Sequence, residues 1–82
     1  MPNYDKLHPP QGLVYVANAD KVRSQLNTLL RNAKQGKHQD VKTIFEMLIN
    51  ENPGLSRCAD YWVFIVRYYV ISRDVASAVV AL

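Results

Sequence analysis

The chain has 82 residues, 49% hydrophobic and 21% charged, which suits one small folded domain and is too apolar for a disordered segment. A domain of this size buries only about 60–65% of the surface that its unfolded chain exposes, leaving little room for a large enclosed active site. The single cysteine, Cys58, excludes an internal disulfide and a cysteine-rich zinc cluster, and a net charge of +3 permits an acidic partner without requiring one.

The first ten residues, MPNYDKLHPP, carry an acidic residue, no arginine and no apolar centre, so they match neither a secretory signal nor a mitochondrial presequence. Residues 1–17 form an extended arm marked by Pro2, Pro9 and Pro10, which lack amide donors and disfavour helix before them. Gly12 to Val16 favours an extended backbone but has no partner strand, so the expectation is an arm lying on another surface.

A helical domain is expected over 18–82. Asn18 or Asp20 can cap a first helix in which Val22, Leu26, Leu29, Leu30 and Ala33 share one face. Gly36 ends it by taking the left-handed conformation without a Cβ penalty. A second helix, beginning near His38, aligns Val41, Ile44, Phe45, Leu48 and Ile49 before Asn52-Pro53-Gly54 stops it. Two such amphipathic stripes joined by a short turn imply an antiparallel hairpin.

The third helix, from about Arg57 to Ser72, is apolar nearly all round, which implies cover on both sides. Its apolar run from Tyr61 to Ile71 is interrupted by Arg67 and is far shorter than the roughly 20 residues of a membrane span, so no membrane insertion is expected. Asp74 can cap a fourth helix with Val75, Ala78, Val79 and Leu82 on one face, and the sequence stops inside that helix without a polar close. The chain is therefore expected to be a fragment or to end against a partner. The fold class expected is all-α, with about four helices in two stacked hairpins behind the extended arm.

The halves echo one another: Leu29-Leu30 corresponds to Ile65-Val66, Gly36 to Arg73, and Asp40-Val41 to Ser77-Ala78. The offset falls within the range of helix-turn-helix solenoids, in which one hairpin buries its outer face only by stacking on the next. Asn27-Thr28-Leu29-Leu30, then Gly36, then Val41-Lys42-Thr43-Ile44-Phe45-Glu46-Met47 resemble a pentatricopeptide repeat in order and spacing. Residues 21–82 also resemble the wider tetratricopeptide-like class, and 67–82 look similar to part of the helical subunit Va of cytochrome c oxidase. These resemblances imply a helical-repeat fold, an organellar and mainly mitochondrial setting, and either protein contact or binding of single-stranded RNA.

In the pentatricopeptide family, polar side chains on successive first helices each face a base. Asn27 matches one such position, but Cys58 occupies the second, and Val63 stands where the next repeat needs a base reader. Arg23, Asn27, Arg31 and Lys34 nevertheless align on the first helix opposite its apolar face, as phosphate contacts or as an ordinary solvated face. The matching face of the third helix carries Ala59, Val63, Arg67 and Val70, an apolar surface around one charge that suits protein contact. Tyr61, Trp62, Phe64, Tyr68 and Tyr69 hold five of the eight aromatic residues of the chain. They are core or base-stacking groups, and some are expected to exceed what so small a chain covers. The expected interface is Tyr61, Phe64, Tyr68, Ile71, Val75, Val79 and Leu82, with Arg23, Asn27, Arg31 and Lys34 as the RNA alternative.

His8 and His38 stand apart from any carboxylate at ligand spacing, and Cys58 has no histidine that the pattern brings to it. No phosphate loop or catalytic carboxylate pair is present. The expectation is a non-enzymatic subunit of a larger assembly, without cofactor or metal, whose partners are other proteins or, alternatively, RNA.

Overall fold

The structure, a computed structural model, describes residues 4–37 and 40–72. Every regular element among them is helical: a 3-10 turn at Tyr4–Lys6, α1 at Ala19–Lys34, α2 at Val41–Glu51, a 3-10 helix at Pro53–Arg57, and α3 at Ala59–Ile71. The all-α class is as expected. The fourth helix expected from Asp74 lies outside the described residues.

Local chemistry sets the ends of α1 and α2. At the start of α1, Asn18 occupies the cap position without a side-chain cap bond. Asp20 sits inside the first turn and pairs with Arg23 at 2.6 Å, where a carboxylate also complements the helix dipole. At its end Gly36 adopts φ +72°, Gly36 N–H donates to the Ala33 carbonyl at 3.1 Å, and Lys37 N–H donates to the Asn32 carbonyl at 2.9 Å. This pair of bonds satisfies carbonyls that the helix leaves open. α2 starts three residues later than the sequence suggests, because Asp40 is its cap. The Asp40 carboxylate accepts from Thr43 N–H at 3.2 Å and from the Thr43 hydroxyl at 2.6 Å. Those two bonds hold the carboxyl below its usual range, the hydroxyl bond contributing most.

One core joins all the helices. Val22, Leu26, Leu29 and Leu30 of α1 meet Phe45 and Leu48 of α2, Leu55 and Cys58, and Tyr61, Phe64, Ile65, Tyr68 and Tyr69 of α3. The Tyr61 hydroxyl, within this core, donates to the Phe45 carbonyl at 2.9 Å and ties α3 to α2.

The arm differs from its expected role: it lies on this chain's own core. Leu7, Pro10, Leu13 and Val16 are all buried. Tyr4 rests against Tyr68 with ring centroids 5.4 Å apart, and Gly12 N–H donates to Asp60 Oδ2 at 2.7 Å. Gly54 lies so close to the Tyr15 carbonyl that a Cβ there has no space. The physical reason is that the helices alone leave apolar surface uncovered, and the arm supplies side chains at every third position to close it.

Leu13→Ala is therefore expected to cost about 2–5 kcal/mol in urea unfolding, as for any buried leucine, whereas Val14→Ala, at an exposed position, should change stability by less than about 0.5 kcal/mol. Equal, small effects would show that the arm does not belong to the core.

Candidate functional site

α3 has two different apolar faces. The inner one presents Tyr61, Phe64, Ile65, Tyr68 and Tyr69, all buried. Phe45 of α2 inserts its ring among them, with centroids 6.3 Å from Tyr61 and Phe64 and 5.8 Å from Tyr68 and Tyr69, all nearly edge-on. Edge-to-face contacts of this kind add about 0.5–1.5 kcal/mol each beyond area burial. Burial raises the pKa of the Tyr61 phenol, and burial together with the neighbouring Tyr4 pushes Tyr68 up to about 12.

The outer face carries Ala59, Val63, Val66 and Val70, at steps of four, three and four residues. That spacing draws a narrow stripe along one side of a helix. Ala59 is exposed, Val66 half-buried, and Val63 and Val70 are 46% and 57% exposed. Asp60 and Arg67 flank the stripe on one side. Trp62 flanks it on the other, half-buried, its indole N–H donating to the Ser56 carbonyl at 2.7 Å. Arg67 has no ion pair among the described residues. The exposed side chains of Val14 and Tyr15 stand on the turn that Gly12 pins to Asp60, and Arg57 stacks over the Tyr15 ring at 5.2 Å.

All three aromatic side chains assigned to an interface by sequence are thus placed inside the chain. Tyr61, Phe64 and Tyr68 are buried and Ile71 is half-buried, while Val75, Val79 and Leu82 lie outside the described residues. The exposed apolar side chains of α3 are instead Val63 and Val70 of the outward stripe. Its signal was legible in the face Ala59, Val63, Arg67 and Val70.

The basic residues of α1 lie together. Arg23, Asn27, Arg31 and Lys34 line one open groove of about 600 Å³ between α1 and the arm, with Asp5 and His8 opposite. Two of the three cations are already matched: Arg23 by Asp20, and Lys34 by Asp5 at 3.0 Å. Arg31 has no ion pair among the described residues. Three cations against two carboxylates leave this groove only weakly positive.

Cys58 is buried, its thiol directed at the Gly54 carbonyl at 3.5 Å, in the position of a packed thiol. His8 is exposed at the groove, and His38 lies outside the described residues. Among the described residues no group of three or more His, Cys, Asp or Glu side chains is placed to hold a metal ion, and no helix is long and apolar enough to cross a membrane. No family model matches the chain, and neither a curated protein nor a solved structure matches it.

The buried phenols predict alkaline sensitivity. A phenol whose folded pKa is raised contributes its stability in full below the ordinary value of 10.0, and loses it as pH climbs towards about 12. Urea unfolding should therefore show stability falling above pH 10, and falling less steeply in the Tyr61→Phe, Tyr68→Phe double variant. At neutral pH, Tyr61→Phe alone should cost about 1 kcal/mol through loss of the bond to Phe45. A double variant as alkali-sensitive as the parent would contradict the burial of these rings.

Proposed function

We propose that this chain is a non-catalytic helical-repeat subunit whose work is to dock onto protein through the outer face of α3. The observation that carries this reading is the stripe Ala59, Val63, Val66 and Val70, in which Val63 and Val70 stand exposed while Val66 is half-buried against the edge of the core. Charged or polar side chains would be expected on a face with no partner. Fully burying an exposed valine is worth about 1.5–3 kcal/mol, and since Val63 and Val70 are 46% and 57% exposed, covering each adds roughly half of that to association. In the finer form of the proposal, the chain forms two stacked hairpins, the second completed by a helix beginning at Asp74.

A second reading, binding of single-stranded RNA, draws support from the gathering of Arg23, Asn27, Arg31 and Lys34 in one groove. The groove's own carboxylates weigh against it. Phosphate contact gains affinity by releasing counterions from the nucleic acid, and a groove with one cation in excess has little to offer. The base-reading positions weigh against it too, since Cys58 is buried and Val63 is apolar.

Affinity purification of the tagged chain from its native source, followed by mass spectrometry, tests the preferred reading. A stoichiometric protein companion, lost on Val63→Asp, is the expected result. A titration with short single-stranded RNA at low and physiological salt is expected to give weak binding that salt removes. Tight, sequence-selective binding abolished by Asn27→Ala would reverse the preference.

A further inference from the structure

The outer face of α3 is complementary to itself. We propose that it pairs with the same face of a second copy of this chain, the two α3 helices running antiparallel about a twofold axis between Val63 and Val66. The inference rests on the docking role proposed above and names its partner.

The register follows from the spacing of the stripe. In a two-helix seam, apolar residues that alternate in steps of four and three fill successive layers. Ala59, Val63, Val66 and Val70 have that alternation. Reversing the second helix about the midpoint sets Val63 against the partner copy's Val66, and Ala59 against its Val70. A small residue then always faces a larger one at the ends, and two valines of equal size meet in the middle.

The charges decide the direction. Asp60 and Arg67 are one heptad apart on the same flank, both exposed, and they are the ionised side chains of α3. In the antiparallel register the Asp60 flank of one copy runs beside the Arg67 flank of the other, giving two symmetric carboxylate–guanidinium contacts. A parallel pair would instead set this flank against the side that carries Trp62 and Tyr69, leaving both charges without a partner. Asp60 is suited to the contact, because the Gly12 N–H on its Oδ2 fixes the side chain on this flank of α3. Arg67 has no competing ion pair among the described residues.

The test is sedimentation equilibrium of the full chain from nanomolar to high micromolar concentration, on the parent, three variants and one mixture. The parent should pass from monomer to dimer. Asp60→Arg and Arg67→Asp should each place like charges across the seam and raise the dissociation constant about tenfold or more. Mixing the two should restore association as a heterodimer, because one chain then carries arginine at both positions and the other carries aspartate at both. Val63→Asp, at a position exposed in the single chain, should abolish the dimer while leaving the circular dichroism spectrum unchanged, which separates lost pairing from lost folding. A parent that stays monomeric, or single variants that are not rescued by mixing, overturns the second-copy inference. If the chain is monomeric yet recovers a different protein from its native source in a Val63-dependent way, only this inference fails. If it is monomeric and Val63→Asp alters no recovery, the docking role fails with it.

Discussion

The ring of Phe45 is the point on which the rest of the structure depends. It enters from α2 and meets four aromatic rings of α3 nearly edge-on, while its own carbonyl accepts the Tyr61 hydroxyl. That arrangement fixes the rotation of α3 about its axis. With Tyr61, Phe64, Ile65, Tyr68 and Tyr69 turned inward, the opposite side must carry Ala59, Val63, Val66 and Val70. The outward stripe is thus a geometric consequence of where the aromatics went. Any rotation that buried the valines would expose rings of much larger apolar area.

Amphipathic elements were legible in the sequence because their polar faces say which side is out. The stripe of α1 and its glycine stop at Gly36 stand as expected, and α2 differs only at its start, where the bidentate cap by Asp40 fixes the boundary. α3 was harder for the same reason in reverse. A helix apolar on both faces does not reveal which face is core, and the large aromatics drew the interface assignment to themselves. Size decided the matter: the larger side chains fill the interior, the smaller valines stay outside. The arm is expected over 1–17, but its place on the chain's own core is hidden by its period. Leu7, Pro10, Leu13 and Val16 recur every three residues, a spacing that neither the helical nor the strand pattern detects, and the prolines suggested an extended segment lying on another surface.

The two surfaces that could meet a partner differ in how far they are already satisfied. In the groove beside α1, carboxylates from the arm and from the first turn of α1 neutralise two of three cations, leaving Arg31 as the excess charge. Such exposed pairs add little stability, but they lower the potential that would attract a polyanion. On α3, Val63 and Val70 stand exposed, and Arg67 beside them has no ion pair among the described residues. Unsatisfied surface is where association gains most.

The central claim is that α3 buries Tyr61, Phe64, Tyr68 and Tyr69 and displays Val63 and Val70. Thiol labelling of the Val63→Cys and Val70→Cys variants at high dilution, with modified peptides followed by mass spectrometry, measures this most directly, because native Cys58 provides a buried reference in the same molecule. The account predicts rapid modification at positions 63 and 70, while Cys58 reacts only at the rate of unfolding. Protection of positions 63 and 70 at dilution, or labelling of Cys58 as fast as theirs, would contradict it.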